Sequence, residues 1–251
     1  MASALVRKWL LLGTVGAFIS GVSILIMPIC LNVALCLEAR PELMEEPPYP
    51  SILDELRMPY IFLTVICVFI LLLTLGFGLL GVGIGGGGAL LRTAHLVSLA
   101  RRKPDAPLNV LMEEVPLLSC GEAAGLVLVF FSGAIAATCV SAGLSATICE
   151  LALPLNSLPV FLLVFSIFLL VSAYFFGSPR GWVGGVGGLL SALSGITTSL
   201  VPPSYCPIRV GLYYLIGVGM VLMGVALHLQ SKAVLTPPSQ SRPKRDLFAV
   251  S

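Results

Sequence analysis

The sequence predicts an all-α, polytopic helical membrane protein with about six transmembrane helices and both termini in the cytoplasm. Of the 251 residues, 57% are hydrophobic and only 10% are charged, and the mean hydropathy is +1.04. A soluble domain carries about 25% charged residues, so this chain could not cover a water-facing surface of normal polarity. The composition excludes a soluble enzyme, and a net charge of +2 is too small to indicate a nucleic-acid partner.

Six segments are long and apolar enough to cross a bilayer, whose hydrocarbon core needs about 20 residues of helix. None of them carries an acidic or basic residue in its interior, and each is continuously apolar rather than alternating, which favours helices over strands. Pro28 is the one proline in the interior of a predicted span and is expected to kink the first helix, whereas Pro159 only begins the fourth span. The predicted spans are 9–35, 60–84, 122–148, 159–177, 182–201 and 210–230.

The distribution of basic residues predicts the orientation, because Lys and Arg accumulate on the cytoplasmic side of a membrane. With the N-terminus inside, the outer segments contain only Arg40, Arg57 and Arg209, and the other basic residues are all cytoplasmic. Residues 1–231 then form a single helical membrane domain, and residues 232–251 form a disordered cytoplasmic tail. The cytoplasmic residues are Arg7, Lys8, Arg92, Arg101, Arg102, Lys103, Arg180, Lys232, Arg242, Lys244 and Arg245.

Helical spacing continues beyond the second span, over residues 90–103. We therefore expect the second helix to project past the membrane or to bend along its surface. Its last three residues, Arg101, Arg102 and Lys103, would face anionic lipid headgroups.

Glycine spacing predicts close contacts between helices. The pairs Gly81/Gly85 and Gly184/Gly188 have the small-xxx-small spacing that lets helix backbones approach in lipid, and residues 133, 137 and 141 repeat it. Because the clusters at 83–88 and 181–188 both fall toward the cytoplasmic side, we expect helices two and five to touch there. The same faces suit association with other membrane proteins or with a second copy of the chain.

Three of the seven cysteines lie at positions that suggest modification. Cys149 and Cys206 fall in outer connections, and a disulfide between them is one interpretation if the outer side is lumenal or extracellular. Cys120 lies at the inner membrane edge, where a cysteine can be palmitoylated. Most of the other cysteines lie in spans, where cysteine acts as a small apolar residue.

A short motif before the third span resembles an acidic dileucine sorting signal. It consists of Glu113 followed four and five positions later by Leu117 and Leu118, on the predicted cytoplasmic side. As a signal it would indicate an endosomal or lysosomal membrane. Otherwise the two leucines simply begin the next apolar segment, and the plasma membrane remains an equal interpretation.

No set of residues in the sequence indicates catalysis or the binding of a metal or cofactor. The two histidines, His95 and His228, are each isolated, and no nucleophile is paired with a base. The preferred hypothesis is a non-catalytic multi-pass membrane protein acting as a scaffold, a trafficking protein or a partner-binding protein. The alternative is a channel or facilitator for a small neutral solute, lined by the fifth span's hydroxyls and by Asn32, Tyr174, Tyr213 and Tyr214.

Overall fold

The computed structural model describes residues 2–38, 60–104, 107–113, 115, 118–147, 179–201 and 205–233. Within these ranges every regular element is a helix, so the predicted all-α class is confirmed for them. The predicted fourth span, 159–177, lies outside the described residues. The helices are α1 (Ala2–Glu38), α2 (Tyr60–Arg102), α3 (Leu108–Glu113), α4 (Cys120–Phe130), α5 (Ser132–Thr147), α6 (Pro179–Leu200) and α7 (Cys206–Ala233).

Three helices are long and apolar enough to cross a membrane, namely α2 as a whole, Ala4–Leu37 of α1 and Pro207–Lys232 of α7. The bent pair formed by α4 and α5 could be a fourth. The described part of the chain is therefore compatible with an integral membrane protein. The helix α6 covers nearly all of the predicted fifth span, and Gly and Ser residues interrupt its hydrophobic run.

The helix α2 is longer than a bilayer is thick. Its 43 residues span about 65 Å at 1.5 Å per residue, whereas a whole bilayer with its headgroups measures about 40–45 Å. The predicted span 60–84 is only the first part of this helix, which continues unbroken to Arg102. The helical spacing predicted for 90–103 is thus confirmed, whereas the position of this part relative to the membrane stays a prediction.

The predicted third span is not one uninterrupted helix. The helices α4 and α5 meet at Phe131 with a bend of 68°. The Ser132 hydroxyl donates a hydrogen bond to the carbonyl of Val129 (3.0 Å), and Gly133 follows directly. A Ser/Gly pair at which a side chain competes for a helix carbonyl is a recognised cause of sharp kinks, and the prediction of a single helix over 122–148 is wrong for this reason.

The long helices run antiparallel to one another. Contacts between α1 and α2 pair Gly13 with Gly83 and Gly16 with Gly76, so residue numbers rise along one helix as they fall along the other. By the same kind of pairing α1 is antiparallel to α7, α4 to α2, and α6 to α7. The first turns of α1, α4 and α6 therefore lie at the same end of the bundle as the last turns of α2 and α7.

This shared end, called the basic end below, carries most of the described cationic residues. Arg209 lies at the opposite end, where it is buried in the first turn of α7 rather than in a loop before the helix. Its backbone N–H donates to the carbonyl of Tyr205 (3.2 Å). The cationic residues of the basic end are Arg7, Lys8, Arg92, Arg101, Arg102, Lys103, Arg180 and Lys232.

The helix α1 forms the centre of the described bundle and packs between α2 and α7. The hydrophobic core is continuous across all of these helices and includes the fully buried side chains of Ile24, Met27, Phe77, Tyr213 and Met220. Asn32 stabilises the proline turn of α1, since its side-chain amide donates to the carbonyl of Pro28 (2.9 Å).

Candidate functional site

One close backbone contact near the basic end joins α2 to α4. A Cβ atom at Gly81 would lie 2.7 Å from the carbonyl oxygen of Gly125 and 2.8 Å from the Cβ atom of Leu128. One turn further along, Gly85 faces Gly125 with more room, since its Cβ would lie 3.5 Å from that Cα atom. The two predicted packing glycines of helix two thus lie in one contact, and their neighbour is α4.

The second predicted glycine cluster contacts a different helix. In α6, Gly184 and Gly188 are buried, and a Cβ at the neighbouring Gly187 would lie 2.6 Å from the carbonyl oxygen of Gly219 in α7. The clusters at 83–88 and 181–188 therefore do not form a shared contact, and the expectation that helices two and five touch there is wrong. Spacing identifies a close approach but carries no information on which helix approaches.

An ion pair and a helix cap connect α4 to α2 at the basic end. Ser119 and Glu122 form a reciprocal capping box, in which the Ser119 amide donates to the Glu122 carboxylate (2.7 Å) and the Glu122 amide donates to the Ser119 hydroxyl (3.2 Å). The same carboxylate contacts Nε of Arg92 at 3.0 Å. Burial is unequal, with side-chain exposures of 34% for Arg92 and 12% for Glu122.

The sequence prediction missed this cluster, although the signal is present. Ser119 followed three residues later by Glu122, just before an apolar run, is the pattern of a capping box. Gly88 allows the approach, because a Cβ there would lie 2.8 Å from the Ser119 hydroxyl oxygen and 2.9 Å from the Glu122 amide nitrogen. The cap therefore orders the start of α4 and fixes it against α2 at the same time.

A cavity of about 270 Å³ lies beside this ion pair, between α2 and the segment that contains α3. We call it the Arg92 cavity. Among the described residues, its wall includes one cationic, one hydroxyl and three apolar side chains. Its lining residues are Arg92, Thr93, Leu96, Met112 and Val115.

Two of the side chains that the sequence suggests as pore-lining are engaged inside the packed bundle, whereas Asn32 is exposed and Tyr174 lies outside the described residues. The Tyr213 hydroxyl is fully buried and lies 3.4 Å from the carbonyl oxygen of Cys139, to which it donates. In α6, the Ser191 hydroxyl is also buried and lies within 3.0 Å of the carbonyl oxygens of Gly187 and Ile216. These hydroxyl groups satisfy helix carbonyls and join neighbouring helices.

One face of α5 consists of small residues, and no described helix packs against the glycine in it. In α5, Gly133 and Ala137 are exposed, and a Cβ atom placed at Gly133 would meet nothing within 4 Å. Ser141 continues this row and is half-buried. The two residues just before it at the helix break, Phe130 and Phe131, are 79% and 48% exposed. We call the surface formed by Gly133, Ala137 and Ser141 the α5 small face.

The predicted modification and sorting residues lie near the helix starts and the α3 segment. Cys120 is the first residue of α4 and Cys206 is the first of α7, whereas Cys149 lies outside the described residues. The disulfide therefore stays a prediction, and so does the palmitoylation. In the sorting motif, Glu113 ends α3 and Leu118 is half exposed, and Leu117 lies outside the described residues.

Across the described ranges, no three His, Cys, Asp or Glu side chains converge in a way that would hold a metal ion. Comparison with models of protein families, with curated proteins and with solved structures gives no match to this chain. The assignment of a function therefore depends on the geometry of the helices and their surfaces.

Proposed function

We propose that this protein is a non-catalytic multi-pass membrane protein that binds partner membrane proteins, as a scaffold or a trafficking protein of the plasma membrane or an endosomal or lysosomal membrane. The observation that carries the proposal is the α5 small face. Most interhelical glycines of the described bundle pack against a neighbouring helix, whereas no described residue lies within 4 Å of a Cβ added at Gly133 of this face. Since lipid tails are as apolar as the helices, a row of small residues is useful mainly where another helix backbone can approach.

The charge distribution supports a chain with both ends of the helical domain on the cytoplasmic side. The first residues of α1 and the last residues of α7 meet at the basic end, together with the end of α2. Positive side chains prefer the cytoplasmic surface, which has an anionic leaflet. This orientation also gives a cytosolic location to Glu113 and Leu118 of the sorting motif.

The positions of α5 and α6 support six spans. Gly143, near the end of α5, faces Met27 and Tyr213, which lie in the half of the bundle away from the basic end. Pro179 starts α6 at the basic end. These two positions are what a crossing at 159–177, between α5 and α6, would require.

Crosslinking in native membranes tests the partner-binding proposal. Gly133→Leu places a bulky side chain on the α5 small face, where no described residue lies within 4 Å of an added Cβ, so the packing of the described helices should be retained. We expect this variant to lose a stoichiometric membrane partner, or a second copy, that the unaltered protein captures. Gly211→Leu is the matched control, because a Cβ at Gly211 also meets nothing within 4 Å but lies on α7. Equal capture by both variants would contradict the proposed role of the face.

The alternative function, a facilitator for a small neutral solute, is favoured by one observation. The helix break between α4 and α5 resembles in form the discontinuous helices that transporters use to expose backbone groups to a substrate. Against it, Phe130 and Phe131 at the break are exposed on the outside of the bundle. Solute flux through liposomes containing the purified protein would support this alternative, and flux unchanged by Gly133→Leu would separate it from partner binding.

A further inference from the structure

The two tryptophans of the chain both lie toward the basic end of the bundle. The Trp9 indole of α1 packs on Gly86 of α2, where an added Cβ would lie 2.6 Å from the indole Cδ2 atom. In α6, Trp182 is 48% exposed, and the contact of Gly187 with Gly219 of α7 places it within about two turns of the level of Trp9. Tryptophan is enriched where hydrocarbon meets headgroups, so this pair indicates one edge of an apolar band.

Two exposed tyrosines lie at the opposite end of the bundle and share one level. Extrapolating the pairing of α1 with α2 places Tyr60 level with Cys36 of α1, and extrapolating the pairing of α1 with α7 places Tyr205 level with the same residue. The exposed fractions of the two tyrosines are 37% and 55%. Tyrosine shares the interfacial preference of tryptophan, so this pair indicates the other edge of the band. We call the tryptophan pair and the tyrosine pair the two aromatic belts.

The surface between the belts is apolar, and charged residues begin directly outside it. Exposed side chains at this depth include Val22, Leu71 and Val218. In the described stretches of α1, α2 and α7 between the two belts, Arg209 is the only charged residue, and it is buried. Because a charged side chain among acyl chains is costly, this distribution is the one that a bilayer requires. On these three helices, the charged residues next beyond the tryptophan belt are Lys8, Arg92 and Lys232.

The separation of the belts matches the thickness of one bilayer. The stretch of α2 from Tyr60 to Gly86 spans about 39 Å at 1.5 Å per residue. A hydrocarbon core measures about 30 Å, and a bilayer with its headgroups about 40–45 Å, so the aromatic rings at both ends fall within the headgroup regions. Beyond Gly86, α2 continues without a break for about another 24 Å to Arg102.

From these levels we propose that the surface between the aromatic belts is the lipid contact of the bundle and fits one bilayer of ordinary thickness, while residues 87–102 of α2 project from it into the water. The expected contact of Arg101 and Arg102 with anionic headgroups does not form in this arrangement. Both residues lie more than one Debye length, about 8 Å at physiological ionic strength, beyond the headgroups. The placement rests on the membrane location in the proposed function and is independent of the α5 small face.

Quenching of tryptophan fluorescence by brominated lipids tests the belt, and the unaltered full-length protein already carries both reporters. The protein is reconstituted into dioleoyl phosphatidylcholine vesicles containing phosphatidylcholine brominated either near the glycerol or near the terminal methyl of an acyl chain. We expect the shallow bromines to quench more strongly than the deep ones. Stronger quenching by the deep bromines would place Trp9 and Trp182 inside the hydrocarbon core and overturn the belts. Absence of quenching by either lipid would overturn the membrane location itself, and with it the proposed function.

Two single-tryptophan variants test the projection of α2. In a background with Trp9→Phe and Trp182→Phe, Leu71→Trp places a reporter about halfway between the belts, and Val97→Trp places one about 16 Å beyond Gly86. Both positions are exposed, at 70% and 47%, so each accepts a larger ring. We expect the Leu71→Trp reporter to be quenched mainly by the deep bromines, and the Val97→Trp reporter by aqueous iodide but by neither lipid. Quenching of the Val97→Trp reporter by the shallow bromines would show that the end of α2 lies along the membrane surface and refute the projection. Strong iodide quenching of the Leu71→Trp reporter would refute the apolar band.

Discussion

At the scale of single residues, glycines of α2 that are close in sequence have opposite environments. Gly81 is buried against α4, whereas an added Cβ at Gly78 meets nothing within 4 Å. Both residues are helical, so both incur the entropic cost of glycine in a helix interior. The two residues differ only in their packing. Comparing the same substitution at both positions therefore measures how much the close contact contributes to stability.

We predict that Gly81→Ala and Gly78→Ala change stability in opposite directions. The methyl group added by Gly81→Ala would clash with backbone atoms of α4, which cannot shift without disturbing that helix. Overpacking of this kind destabilises the fold by about 1–3 kcal/mol. The methyl group at Gly78 enters open space and improves helix propensity, a gain of about 0.5–1 kcal/mol. Thermal unfolding of the two purified variants in the same detergent measures both. A similar change in both variants would show that the α2–α4 contact does not determine stability.

The sequence predicts such residues only in part. The spacing of Gly81 and Gly85 indicates a close approach of helices, and the structure has one at these residues. The neighbour is decided by the arrangement of all the helices, and for this reason the described glycines at 81–88 pack against α1 and α4 instead of the 181–188 cluster. Likewise, the burial of Tyr213 against Cys139 joins residues 74 positions apart, a distance that no local pattern can bridge.

At the scale of the helix, the start of α4 is set by local chemistry and its end by a competing hydrogen bond. Ser119 and Glu122 satisfy each other's backbone amides, which fixes the first turn. At the other end, the Ser132 hydroxyl donates a hydrogen bond to the Val129 carbonyl, and the helix axis changes direction there. Hydropathy is uniform across this break, so the apolar pattern predicts one long span and cannot show the bend.

We predict that Ser119→Ala loosens the first turn of α4 and weakens its attachment to α2. Loss of the cap removes the acceptor for the Glu122 amide and costs about 1 kcal/mol. Hydrogen–deuterium exchange of a peptide that covers residues 119–126 should become faster, while peptides of α7 stay unchanged. Thr197→Ala is a suitable control, because its exposed hydroxyl only donates back to the carbonyl of Leu193 within α6. Unchanged exchange in the 119–126 peptide would mean that α4 is held by its glycine contacts alone.

At the scale of the whole molecule, the antiparallel helices bring basic residues that are dispersed along the sequence to one end of the bundle, so the bundle is polarised in charge. Arg7, Arg92 and Lys232 are far apart in the chain, but the helix directions bring them to one end. The sequence predicts this grouping because charged residues are absent from the apolar segments and the helices must alternate in direction to return across a membrane. How many segments cross is harder to predict, since α6 is interrupted by Gly and Ser and the third segment is bent.

The polarised bundle leads to a prediction on sidedness that depends on three exposed positions. Leu5 and Val97 lie toward the basic end, on α1 and α2, whereas Tyr205 lies directly before α7 at the opposite end. In a variant whose seven native cysteines are replaced by alanine, a single cysteine is introduced at each position in turn. With sealed vesicles of known orientation, a membrane-impermeant maleimide should label Leu5→Cys and Val97→Cys from the cytoplasmic side and Tyr205→Cys from the other side. Because α1 and α2 are antiparallel neighbours, opposite labelling of the first two positions would contradict their pairing. Labelling of all three from one side would mean that α7 does not cross the membrane. The grouping of basic residues at the basic end would then need an explanation other than membrane orientation.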